Sequence, residues 1–202
     1  MMSEPQWPFA GTYPGDSSFW VDAASADQYP LRYGDVFRTP AGQSLTDSKG
    51  RPWVAVMSLH PSCELGRKAS PVGVQVVRVF RLGNVSQGQR EEVRVGYVER
   101  YGETRIARVN MVYLAPVPGA ELEKLDVEMY ADLRQTARVP LDELKVAGRV
   151  AAMTHEARVA LLARDLYFRY RWPVEVASVF ELERGRINSD QDFLGPKPKW
   201  AT

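Results

Sequence analysis

Residues 51–60 read RPWVAVMSLH, and the pattern is that of a strand. Side chains alternate between faces along an extended chain. Trp53, Ala55, Met57 and Leu59 therefore share one face, and Val54, Val56, Ser58 and His60 the other. Both faces begin apolar, as in an interior strand, and only the end turns polar. Pro61 then stops it, because proline has no N–H to give a ladder. The stretch runs into Cys63, the only cysteine, and holds His60, one of two histidines. A nucleophilic thiol would need His60 or a helix N-terminus to lower its pKa. A zinc site drawn from His60, Cys63, Glu64 and His155 would need a second paired motif, which the sequence lacks. The plainer reading is a turn in which Cys63 is packed, the usual fate of a free cysteine. No metal or other cofactor is expected.

Working outward, GDVFRTP (34–40) reads as a short strand ended by Pro40, and AGQSLTDSKGRP (41–52) as a turn-rich loop. VGVQVVRVFRL (72–82) and EEVRVGYVER (91–100) read as further strands. YGET (101–104) is a hairpin turn into RIARVNMVYLAP (105–116), which again alternates. A further strand is expected within DVEMYADLRQTARVP (126–140). Many short, β-branched strands with short links suggest a small, mostly antiparallel barrel or a strongly coiled sheet. Two helices should follow, LDELKVAGRVAAM (141–153) and THEARVALLARDLYFRYRW (154–172). Pro140 precedes the first, with Asp142 and Glu143 in its opening turn, and Thr154 caps the second. Val159, Leu162, Leu166 and Tyr170 form the expected buried stripe of the second helix, leaving Arg158, Asp165 and Arg169 on the surface. The expected organisation is an N-terminal arm (1–30), a β-barrel domain (31–139), a helical extension packed on it (140–185) and a loose tail (186–202).

The chain of 202 residues is long enough for one well-cored domain. Its 26 basic and 25 acidic residues nearly cancel, so no global field draws in nucleic acid or an anionic membrane. Any such contact must come from a local patch. Arg67, Lys68, Arg78 and Arg81, if they project to one side with Arg51, are the candidates for one. A single cysteine, no signal-peptide pattern and no membrane-length apolar run lead us to expect a cytoplasmic protein without membrane contact. RDLYFRYRWP (164–173) interleaves arginine with aromatic residues, which can stack bases, but it also suits a helix end anchored on a sheet. The structural reading is preferred there.

Gly34-Asp35 opening a strand, a loop from Ala41 to Gly50, and Arg51-Pro52 leading a hydrophobic strand to Ser58 together resemble the opening of the PemK/MazF-like family of toxin–antitoxin toxins. The resemblance covers about residues 31–82 and its motifs are short. It implies an α+β protein: an SH3-like antiparallel β-barrel, here carrying a C-terminal helical pair. In members that cut RNA it implies an endoribonuclease that needs no metal, with Arg51 at the scissile phosphate. Ser58, His60 and Glu64 are then the nearest acid–base candidates, with Cys63 beside them. In those members the following strand ends in Thr or Ser. Here VQVVRVFRL carries no hydroxyl, which tilts the expectation toward a binding module in a toxin–antitoxin or phage-defence setting, with endoribonuclease as the alternative. The implied partners are RNA or a protein of the antitoxin or defence kind, and a homodimer is compatible with the family. The plain alternative for Arg51 is a solvated side chain or a pair with Asp35.

Overall fold

The computed structural model describes residues 19–21, 29–60, 65, 73–95, 97–100, 103–119 and 125–170. The chain forms an α+β fold around an antiparallel sheet. Its strands are β1 (Val36–Arg38), β2 (Ala55–Ser58), β3 (Val74–Arg81), β6 (Met111–Leu114), β7 (Met129–Val139) and β8 (Arg149–Ala151), in the order β6-β7-β3-β2-β1-β8. β4 (Tyr97–Arg100) and β5 (Glu103–Ile106) form a separate hairpin, as YGET predicts. The helices are α1 (Gln87–Val95), α2 (Leu141–Ala147) and α3 (His155–Tyr170). Among the described residues no helix is long and apolar enough to cross a membrane.

β2 is the interior strand its sequence calls for, paired on one side with β1 and on the other with β3. Its two faces feed two cores. Ala55 and Met57 join Val36, Val77, Val79 and Ala131 in the larger core, where Ala157 and Leu161 of α3 and the arm residues Phe19 and Trp20 also pack. Val56 joins Phe37, Val74, Val76 and Val139 in the smaller one, closed by Leu141 and Leu144 of α2. The two C-terminal helices thus pack into different cores, not against each other as a pair on a barrel. The reason lies at Gly148: its φ of +85° ends α2 and turns the chain into β8, which pairs with β1. The helix expected over 141–153 is cut short there, and the expected extension supplies an edge strand to the sheet.

The expected closed barrel is an open sheet, because β6 and β8 do not pair. Two residues of the arm hydrogen-bond beside the two edges instead. Val21 N–H donates to Ala152 O at 2.8 Å beside β8, and Trp20 Nε1 donates to Ala115 O at 3.0 Å beside β6. Two further expectations are corrected. EEVRVG lies mainly in α1, where Ser86 N–H donates to Gln89 Oε1 at 3.2 Å, half of a capping-box arrangement that helix capping favours over alternation. RIARVNMVYLAP is broken by a turn at Arg108, whose φ is +46°. Arg164 holds that turn: its fully buried guanidinium donates to the carbonyls of Ala107, Arg108, Val109 and Met111.

Arg158 and Asp165, expected on the surface, are also buried. Asp165 accepts from Tyr33 Oη at 3.1 Å and from Arg169 Nε at 2.7 Å, and Arg158 acts electrostatically on buried Asp35. Buried charge is tolerated where it is partnered in this way.

Candidate nucleic-acid interface

The loop ahead of β2 is organised by Asp47. Its Oδ1 accepts the backbone N–H groups of Lys49 and Arg51, each at 2.9 Å, and Gly50 at φ +73° lets the chain reverse. Asp47 Oδ2 accepts from Arg51 Nε at 2.8 Å and lies 3.4 Å from Arg78 Nη1. These donors, the Arg51 N–H foremost, hold the Asp47 carboxyl far below the usual carboxylate range, so it stays ionised. One carboxylate thus anchors two guanidinium groups. Arg51 remains 69% exposed at its side chain, whereas Arg78 is 10% exposed. The pairing of Arg51 with Asp35 does not occur.

Arg78 is fixed by rings as well as charge. Its guanidinium carbon lies 4.2 Å from the Phe80 ring centroid and 5.9 Å from that of Trp53. Such contacts contribute roughly 0.5–2 kcal/mol each. Phe80 is half-buried and stacks on Tyr130 across the β3–β7 ladder, with centroids 5.0 Å apart and planes at 9°. Arg78 faces Asp132 in the same ladder, and a register shift after Val77 loops out residues 133–135. Burial raises the Asp132 pKa, but hydrogen bonds from Arg134 and Asn110 outweigh it and leave the group below its ordinary value. α2 covers one half of this sheet face with aliphatic packing, and the other half presents arginines and aromatic rings.

Beside Arg78 the sheet opens. The β2–β3 ladder ends at Ala55–Val79, while β3 continues to Arg81 against β7. The parting strands leave a cleft of about 100 Å³, and exposed Arg81 lies on its rim.

The remaining sequence candidates are placed elsewhere. Ser58 is fully buried at the far end of β2, where its N–H donates to Asp35 O at 2.9 Å and its Oγ accepts the His60 N–H at 3.3 Å. Ser58 closes β2, with half-buried His60 just beyond it, whereas Arg51 lies before β2 in the turn that Asp47 organises. Cys63, Glu64, Arg67 and Lys68 lie outside the described residues. The Gly-Asp pair is structural. A Cβ on Gly34, at φ +86°, would meet Met153 Sδ at 2.8 Å, and Asp35 is bound to Arg149 Nη1 at 2.9 Å. Burial pushes the Asp35 carboxyl up to about 6 against the opposing pull of Arg149.

Arg51, Arg78 and Arg81 are the sequence candidates that occupy one end of the sheet. Asp47, Trp53, Phe80 and Tyr130 were not foreseen as site residues. The Asp-Ser-Lys-Gly turn and the Arg-Val-Phe spacing, which puts Arg78 and Phe80 on one face, were the signals available for them. Comparison with protein-family models, with curated proteins and with solved structures finds no match to this chain.

Proposed function

We propose that this protein is a PemK/MazF-like binding module that engages single-stranded RNA on the arginine–aromatic half of its sheet. The observation that carries this reading is the Asp47–Arg51–Arg78 arrangement beside the stacked Phe80–Tyr130 pair. Guanidinium groups held in place meet phosphate oxygens without losing further side-chain freedom, and Arg51, bonded to Asp47 through Nε, keeps its side chain 69% exposed. The half-buried Phe80 ring, engaged by Arg78 and Tyr130, adds apolar surface beside them that can meet an unpaired base, which single-stranded RNA presents and a duplex hides. The neutral total charge fits a local interface better than general polyanion binding.

The alternative, a metal-independent endoribonuclease, draws on the same Arg51 at the scissile phosphate. The placement of Arg51 before β2 and of Ser58 and His60 at its far end favours binding over cleavage by that set. One experiment addresses both. Purified protein and the Arg51→Ala variant are incubated with mixed-sequence RNA in EDTA, with cleavage and mobility shift followed together. The binding reading expects a shift with intact RNA, weakened in Arg51→Ala. Discrete cleavage abolished by Arg51→Ala would establish the alternative, and a protein partner co-purifying without any RNA shift would overturn both.

A further inference from the structure

Residues 133–135, looped out of β7, repeat on the far side of Arg78 the arrangement that Asp47 builds ahead of β2. Asp132 lies directly across the β3–β7 ladder from Arg78, so the two side chains share a face of the sheet. Its Oδ1 accepts the Arg134 N–H and Arg134 Nε, both at 3.1 Å, and its Oδ2 accepts from Arg134 Nη2 at 3.0 Å. Asp47 likewise takes the N–H and the Nε of Arg51. In both places a nearly buried carboxylate holds an arginine that stays in solvent, and the Arg134 side chain is 60% exposed. Asn110 Nδ2 gives Asp132 a further donor at 2.9 Å, and Leu133 packs into the larger core, which fixes the bulge. Bulges of this kind re-aim a side chain. Burial raises the Tyr130 pKa and Asp132 adds to the rise, whereas Arg78 and Arg134 both oppose it. Two guanidinium groups therefore lie within electrostatic reach of one phenol, whose ring stacks on Phe80.

We infer that Arg134 is a second exposed phosphate contact, and that a bound single strand crosses β3 from Arg51 to Arg134. The inference rests on the RNA-binding reading and adds to it a residue and a direction. A guanidinium has five N–H donors, so the bonds that Arg134 makes to Asp132 through Nε and Nη2 leave it able to meet a phosphate oxygen as well. Those bonds also hold the side chain before RNA arrives, which lowers the ordering cost of binding. Asp47 and Asp132 cancel most of the charge on Arg51, Arg78 and Arg134, so placed contacts and not a general field carry the affinity. Arg138 provides the contrast. It is exposed on the same strand, but it pairs with Gln75, while the flanking pairs Val74–Val139 and Val76–Ala137 face the smaller core. Arg138 therefore points to the opposite face of the sheet.

The test follows the full chain and a fluorescein-labelled uridine decamer by anisotropy over a series of salt concentrations. Wild type is compared with Arg134→Ala and with Arg138→Ala, and folding is checked by thermal melting. Arg134→Ala is expected to bind about tenfold more weakly and to flatten the slope of log K against log salt by about 0.7, the share of one phosphate on a single strand. Arg138→Ala should leave affinity and slope unchanged. If Arg134→Ala melts well below the wild type, Arg134→Gln, which keeps a donor for Asp132 without the charge, is read in its place with the same expectations. A folded Arg134 variant with wild-type affinity, or with weaker binding at an unchanged slope, would overturn the contact while leaving RNA binding in place. An equal loss in Arg138→Ala would overturn it as an effect of charge alone. No binding by the wild type would overturn the RNA reading and the contact with it.

Discussion

Gly34 and Asp35 show how a short motif can be read for chemistry and turn out to hold the fold. Gly34 has a φ of +86° and lies directly under Met153, Leu161 and Arg158, so any side chain there is strained and also collides. Gly34→Ala should cost about 2–4 kcal/mol, combining backbone strain with overpacking; urea denaturation would measure it, and an unchanged midpoint would contradict the packing. Asp35 makes a pH-dependent prediction. Its folded pKa of about 6 exceeds its ordinary value of 3.8, so the folded state holds the proton more tightly. The stabilisation from this linkage is fully present below about pH 3.8 and is lost as pH rises through 6. Relative to Asp35→Asn, which does not titrate, wild-type stability should therefore fall between pH 4 and 7, by up to about 3 kcal/mol. A difference that rises over that interval would reverse the assignment. The sequence marks Gly34-Asp35 as a pair of note, but the partner of Asp35 is Arg149, more than a hundred positions away, and no local pattern connects them. Arg51 is likewise visible ahead of its strand, whereas its anchor, Asp47, depends on a turn that only the folded loop reveals.

At the scale of elements, strands with both faces apolar were legible and helices with sparse apolar content were not. β2 and β3 read directly from their Val-rich alternation. Among the described side chains of α1 Val93 alone is buried, so its helical identity comes from the Ser86–Gln89 cap and from Arg94, which donates to Glu128 at 2.8 Å near the helix C-terminus. Ser86→Ala combined with Gln89→Ala should destabilise α1 by about 1 kcal/mol, a change visible by thermal denaturation. α3 misled the periodicity argument differently. Of its expected stripe, Val159 is buried and Leu162 and Leu166 only half-buried, while Arg164 is driven inward because four carbonyls at the β5–β6 turn and the start of β6 need donors. Arg164→Ala leaves those acceptors in a buried place without their donor. We expect a loss of about 3 kcal/mol or more and faster hydrogen exchange at the Met111 and Leu133 amides, which donate to Arg108 and Asn110 of that turn. Exchange at wild-type rates would contradict the clamp.

For the whole molecule, the open sheet explains how a protein of neutral net charge can carry a polyanion site. The strand order gives β3 a neighbour on each side, and the early end of the β2–β3 ladder frees the tip of β3, Phe80 and Arg81, beside the paired Arg78. The α+β class and most strands were legible because they follow from local alternation. Closure was not, because it depends on the pairing of β6 with β8, which lie far apart in sequence, and on arm residues Phe19–Val21 that reach both edges. If the arginine–aromatic surface is the interface, charge and aromatic contact should both contribute to affinity. The most direct measurement is therefore the anisotropy-detected affinity of a labelled single-stranded RNA for the wild type and for Phe80→Ala, at matched salt and with folding verified by melting. The account predicts measurable binding by the wild type and a loss of about five- to a hundredfold in Phe80→Ala, the range for removing one stacked base. Equal affinity for the two folded proteins, or no binding by the wild type, would contradict it.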